Sequence, residues 1–157
     1  MLNVTACSAD KLTFDVNSQL ANPWFDCGMD LKKASQIAGF DFPLILSNYS
    51  VKAMKGMIEI TYPLDENRNV IIRKSLEEIN NGDISGVYAK YPVVDTLTLE
   101  DGVQINLRKD VNSIYVMYFG ACSGIYSAYS ENGMSENEVR GIFDLIKEVE
   151  ADSCEPH

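Results

Sequence analysis

The sequence predicts an α+β protein, in which a curved antiparallel sheet of about six or seven strands carries a long C-terminal helix on one face and a short N-terminal helix. Two observations lead to this prediction. Short runs of alternating apolar and polar residues are separated by turn residues, and residues 103–130 contain three such runs in succession. A capping box formed by Ser135 and Glu138 then precedes an apolar stripe at helical spacing.

The N-terminal part of the chain predicts a tether followed by a short helix. Residues 1–21 lack a sustained period and are interpreted as a tether, for which the remnant of a lipoprotein signal is one interpretation. Trp24, next to Pro23, is expected to anchor this tether to the core. Asp30 is placed to cap a helix from Leu31 to Ala38, which Gly39 ends. The predicted organisation is therefore a tether over residues 1–21, one domain over 22–151 and a flexible tail over 152–157.

The remaining elements are strands joined by turns. An Asp101-Gly102 turn between two alternating runs indicates a hairpin, and residues 77–86 are polar enough to predict a surface loop. Residues 114–119 are apolar at odd and even positions alike, so both faces of that strand are expected to be covered. The predicted strands are residues 49–53, 57–62, 70–74, 93–99, 103–107, 114–119 and 125–130.

Composition excludes several classes of function. The 157 residues fit one domain, and 23 acidic residues against 13 basic ones give a net charge of −10. Such a surface repels nucleic acids and anionic membranes. No run approaches the roughly 18 apolar residues of a membrane-spanning helix.

The cysteines give one motif and leave their pairing open. Cys7, Cys27, Cys122 and Cys154 contain no C-x-x-C pair, which disfavours zinc ribbons and thioredoxin-type sites. Cys122 is predicted to be a buried free thiol, and a disulfide becomes an option if the chain is exported. The segment from Val4 to Cys7 has the form of a bacterial lipobox without its hydrophobic leader. One hypothesis is that Met1 lies inside a longer precursor lipidated at Cys7; the alternative is a chance match.

The sequence offers no clear catalytic or cofactor site. The single histidine is His157, the last residue, which disfavours histidine-based catalysis and imidazole metal sites. No phosphate-binding glycine loop occurs, and the acidic turns at residues 65–67 and 80–83 are expected to be plain turns in preference to calcium ligands. No cofactor is predicted. A hydrolytic carboxylate pair remains open, as does an apolar pocket between helix and sheet lined by residues such as Tyr115, Met117 and Tyr118, although a filled core is favoured.

Five segments together resemble a known domain family: residues 22–24, 38–43, 58–62, 72–75 and 82–88. The chain is similar over about residues 22–150 to a domain of unknown function that occurs in Gram-positive lipoproteins and in the extracytoplasmic regions of anti-sigma-factor-like membrane proteins. The most specific match is Asp83-Ile84-Ser85-Gly86, for which we expect a structural turn, with Asp83 or Ser85 bonding backbone amides and Gly86 at positive φ. The resemblance implies no catalytic residues.

These observations favour a non-enzymatic extracytoplasmic domain that binds or senses a protein or a small molecule. It would contact the membrane only through a lipid on Cys7. The alternatives are a hydrolase that uses a carboxylate pair and a cytoplasmic protein-interaction module.

Overall fold

The computed structural model describes residues 24–44, 46–76, 83–87 and 93–153. Within this part of the chain, eight strands and two helices form an α+β fold with one antiparallel sheet. The elements in chain order are β1 (Phe25–Asp26), α1 (Leu31–Ala38), β2 (Ser50–Met54), β3 (Met57–Pro63), β4 (Asn69–Ser75), β5 (Val93–Thr98), β6 (Gln104–Lys109), β7 (Ile114–Ala121), β8 (Gly124–Met134) and α2 (Glu136–Ser153).

The sheet consists of two meanders joined at its centre. Its strand order is β1-β2-β3-β4-β8-β7-β6-β5, and every neighbouring pair is antiparallel. The last strands of the two meanders, β4 and β8, pair with each other, with Ile72 opposite Ala128. The eighth strand, beyond the six or seven predicted, is the two-residue β1 at one edge.

The two helices lie over one face of the sheet, which we call the helix face. There α1 packs on β2 and β3, while α2 packs on β7 and β8. Rows of apolar side chains run across the strands beneath them, since alternate residues of each strand share a face. The largest fully buried side chains of the core include Phe42, Ile58, Ile60, Ile72, Ile105, Met117, Tyr126, Ile142 and Ile146.

Strand β7 is covered on both faces, as its continuous apolar sequence predicted. Val116 and Met117 point to opposite faces and are both fully buried, and Tyr118 and Phe119 are nearly so. The ring of Phe119 meets that of Phe143 on α2, with the centroids 4.9 Å apart. Residues 103–130 therefore form part of the structural centre.

Residues 83–87 lie over the opposite face of the sheet, and for residues 83–85 the predicted polar surface loop is wrong. Asp83, Ile84 and Ser85 are buried. Two arginines that project from this face of β4 and β6 hold the segment: Arg108 pairs with the Asp83 carboxylate at 2.5 Å, and Arg73 donates to the Ile84 carbonyl at 3.1 Å. Polar sequence predicted exposure, but here the polar groups bond to the sheet instead of to water.

Helix α2 begins with the predicted capping box. The Glu138 amide donates to the Ser135 hydroxyl at 3.1 Å, and the Ser135 amide donates to the Glu138 carboxylate at 2.9 Å. The same carboxylate accepts two hydrogen bonds from Arg68, which ties the start of α2 to the β3–β4 hairpin. The helix continues to Ser153, so it extends past residue 152, where the tail was predicted to begin.

Candidate functional site

A buried lysine marks the region in which polar groups converge on the helix face. Lys74 is only 4% exposed, because it shares a face of β4 with Val70 and Ile72. Its ammonium group donates to the Asp41 carbonyl at 3.0 Å. The ring centroids of Phe40, Phe42 and Tyr126 lie 5.3, 5.6 and 5.5 Å from Nζ. This is a cation–π cage occupied by the protein's own lysine.

A buried carboxylate lies near this lysine, at the C-terminal end of α2. One oxygen of Glu150 accepts a hydrogen bond from the Ser123 amide at 3.1 Å. The other oxygen accepts from the hydroxyl groups of Ser123 and Tyr126. The network therefore joins the end of α2 to the turn between β7 and β8, and through Tyr126 to the lysine cage.

The electrostatics follow from this arrangement. Burial alone would raise the pKa of Glu150, but hydrogen bonds from Ser123 and Tyr126 and the charge of Lys74 outweigh it, so the pKa lies below its ordinary value of 4.5. Burial, and then the bond to Glu150, raise the pKa of Tyr126 above its usual range. Burial lowers the pKa of Lys74, and the charges of Glu150 and Asp41 partly offset that effect.

A mainly apolar pocket of about 370 Å³ opens beside this network, between α2 and the end of β7. Phe119 and Phe143 provide its aromatic wall, and Glu150 and Lys147 are its charged residues. A pocket between the long helix and the sheet was left open by the sequence, but its expected lining by Tyr115, Met117 and Tyr118 is wrong. Met117 is fully buried within the core, and the lining begins at the next helix-face residue of β7, Phe119. The full lining is Val103, Phe119, Gly120, Ala121, Cys122, Phe143, Lys147 and Glu150.

The segment with the most specific family resemblance lies on the other face of the sheet and takes no part in this pocket. One oxygen of Asp83 accepts from the Ser85 amide at 3.0 Å and from the Ser85 hydroxyl at 2.6 Å, while Arg108 pairs with the other oxygen. The Ser85 hydroxyl accepts from the Val87 amide at 3.3 Å, and Gly86 has a φ of 84°. Asp83, Ile84, Ser85 and Gly86 thus form a turn whose polar groups bond to the protein itself.

Three of the five segments on which the predicted family resemblance rests meet at one arginine on that face. Arg73 forms an ion pair with Glu59 at 2.8 Å, and its guanidinium carbon lies 5.2 Å from the centroid of the Trp24 ring. A Cβ atom at Gly86 would lie only 3.1 Å from the Arg73 guanidinium, so a residue with a side chain would crowd it. Trp24 thus contacts the sheet at this arginine. The cluster joins three of the five segments to the 83–87 turn by packing.

Both cysteines in the described ranges are disulfide-bonded, namely Cys27 and Cys122. The prediction that Cys122 is a buried free thiol is therefore wrong: the residue lies exposed in the turn between β7 and β8, where its small neighbours form a reversal instead of a packed core. The lipidation candidate Cys7 lies outside the described residues, as does Cys154.

The sequence contained signals for the two buried charges of the helix face, Lys74 and Glu150, that were not used. Lys74 follows Val70 and Ile72 at a spacing of two, which places it on the apolar face of the strand. Glu150 follows Phe143 and Ile146 at spacings of seven and four, which places it on the apolar stripe of the helix. A charge at such a position predicts a buried polar network.

Comparison with known proteins adds no family assignment. No protein-family model matches the chain, and no curated protein or solved structure matches it. The resemblance given by the sequence segments therefore stays a prediction. In the described ranges, no cluster of three or more histidine, cysteine or acidic residues is arranged to hold a metal ion, and no helix there is long and apolar enough to cross a membrane.

Proposed function

We propose that this protein is a non-enzymatic extracytoplasmic domain that binds or senses a small apolar ligand in the pocket between α2 and β7. The pocket is the observation that carries this proposal. Its volume of about 370 Å³ falls in the range of small-molecule sites, and Phe119, Phe143 and Val103 supply apolar walls. Burial of an apolar ligand there would remove these walls from water.

The hydrogen bonding of the buried carboxylates favours binding over acid–base catalysis. Both oxygens of Glu150 accept hydrogen bonds from Ser123 or Tyr126, and both oxygens of Asp83 are engaged by Ser85 and Arg108. A general base needs a free oxygen within reach of the proton it removes. The two carboxylates also lie on opposite faces of the sheet, which disfavours their acting as a pair.

The disulfide-bonded cysteines support a location outside the cytoplasm. Cytoplasmic thiols are usually kept reduced, whereas disulfides persist in oxidising compartments. The sequence resemblance to domains of Gram-positive lipoproteins and anti-sigma-factor-like proteins points to the same location. A lipid on Cys7 would add membrane attachment, which requires the Cys7 sulfur to be free of any disulfide.

Ligand binding can be tested with the neutral fluorescent probe phenylnaphthylamine. We expect saturable binding to the oxidised full chain, which Ala121→Phe weakens at least about tenfold by filling the pocket, a difference of about 1.4 kcal/mol. The matched control is Val111→Phe, which adds the same ring at a site that is 98% exposed and outside the pocket. Equal binding by both variants would rule out this pocket as the site.

The location can be tested by fractionation of the native host. We expect the protein in the extracytoplasmic or membrane fraction with its thiols oxidised. Recovery from the cytosol with Cys27 and Cys122 reduced would overturn the extracytoplasmic proposal and favour a cytoplasmic interaction module.

A further inference from the structure

We infer that the four cysteines form two disulfides, Cys7–Cys27 and Cys122–Cys154, and that the second covalently locks the end of α2 onto the turn between β7 and β8. This pairing goes beyond the proposed ligand binding and does not depend on it. Cys7 and Cys154 lie outside the described residues, and the positions of Cys27, Cys122 and Glu150 carry the inference.

A bond between the two described cysteines is excluded by the strand order. Cys27 directly follows the edge strand β1, where its amide donates to the Val51 carbonyl of β2 at 2.9 Å. Cys122 directly follows β7, and four strands lie between β1 and β7 in the sheet. Five inter-strand spacings of about 4.8 Å therefore place β1 and β7, and with them the two cysteines, about 24 Å apart. A disulfide tolerates a Cα separation of at most about 7 Å.

Each described cysteine must therefore pair with one of the chain's other two, Cys7 or Cys154. Ser123, the neighbour of Cys122, donates through its amide and its hydroxyl to Glu150 on α2. Ser153, the last residue of α2, lies about 4.5 Å along the helix axis from Glu150, and Cys154 is the next residue in the sequence. The end of α2 therefore lies next to the turn that contains Cys122, and we infer that Cys154 is the partner of Cys122.

Cys7 is then left for Cys27, at the opposite edge of the sheet. A sulfur held in a disulfide cannot also carry a lipid through a thioether bond, so this pairing removes Cys7 as a lipidation site. The sequence hypothesis of a lipobox at residues 4–7 would be a chance match, and the protein would be exported without a lipid anchor on this cysteine.

The bonds require an oxidant, which an extracytoplasmic disulfide-bearing oxidoreductase can supply. For each bond, two thiols lose two protons and two electrons as the S–S bond forms, and the oxidoreductase disulfide is reduced to a dithiol.

Tryptic digestion separates all four cysteines, which allows a direct test by mass spectrometry. Acidic alkylation in denaturant, followed by non-reducing digestion of the full chain, gives peptides 1–11, 12–32, 110–140 and 148–157, each with one cysteine. We expect 1–11 linked to 12–32, and 110–140 linked to 148–157. Linkage of 1–11 to 110–140, or a lipidated peptide 7–11 that begins at Cys7 in protein from the native host, would overturn the pairing.

Two variants test the lock on α2. In Cys154→Ser we expect one free thiol, on peptide 110–140, and faster amide exchange in the last turns of α2. The matched control Cys7→Ser should free the thiol of peptide 12–32 and leave exchange in α2 unchanged. A free thiol on peptide 12–32 in Cys154→Ser would contradict the pairing, and equal exchange in both variants would contradict the lock. The wild-type peptide map decides the pairing even if a variant fails to fold.

Discussion

The Glu150 network allows a quantitative prediction, because a single isosteric change removes its charge. In Glu150→Gln the side chain keeps its shape, but its amide NH₂ group replaces one of the oxygens that now accept from Ser123 and Tyr126. Hydrogen bonds to a charged group contribute about 1.5–3 kcal/mol net. Since Glu150 is only 7% exposed, we expect Glu150→Gln to lower the free energy of unfolding by about 2–3 kcal/mol at pH 7.

Urea unfolding of the oxidised protein measures this loss, with Glu148→Gln as the control. Glu148 lies on the same helix but is exposed, so its substitution should change the free energy by no more than about 0.5 kcal/mol. The pKa of Glu150 is lowered below 4.5 by folding, so the folded protein binds fewer protons than the unfolded chain in that range. The advantage of the wild type should therefore be complete above pH 4.5 and shrink below it. Equal losses in both variants, or a difference independent of pH, would refute the reasoning.

Three further predictions concern stability. Met117→Ala should cost about 2–5 kcal/mol in urea unfolding through cavity formation, since Met117 is fully buried; near-wild-type stability would mean that β7 is not central. Gly133→Ala should destabilise the protein by more than about 1 kcal/mol, because φ of Gly133 is 91° and the added Cβ would lie 2.7 Å from that of Ser113. Gly141→Ala, at a helix position with open space around it, should stabilise the protein by up to about 1 kcal/mol. Shifts in melting temperature of the same sign for both variants would contradict this. Stability should fall as the pH drops below about 4.5, where the carboxyl groups whose pKa is lowered by folding gain protons. A melting temperature, followed by circular dichroism, that does not change between pH 5 and pH 3 would contradict this. Among the described residues, the carboxyl groups with a lowered pKa are Asp65, Asp95, Asp101, Asp110, Glu138 and Glu150.

Local signals in the sequence determined the elements of this protein. The capping box at Ser135 and Glu138 forms as predicted, because its hydrogen bonds join residues three apart. The cap of α1 by Asp30, whose carboxylate accepts from the Lys33 amide at 2.9 Å, has the same local origin. The hairpin at Asp101-Gly102 also forms, with Gly102 at a φ of 85°. Charge and composition likewise need no tertiary information.

Only the tertiary structure decided which distant segments meet. Pairing of β4 with β8 brings Lys74 next to Tyr126, and α2 then places Glu150 against the same tyrosine. No local pattern encodes such a pairing, because the free energy comes from packing between residues far apart in the chain. The burial of Asp83 has the same cause. Its polar sequence predicts a surface loop, and only the position of Arg108 on strand β6 of the sheet makes it part of a buried ion pair. The pocket, too, exists only because α2 crosses the sheet beside Phe119.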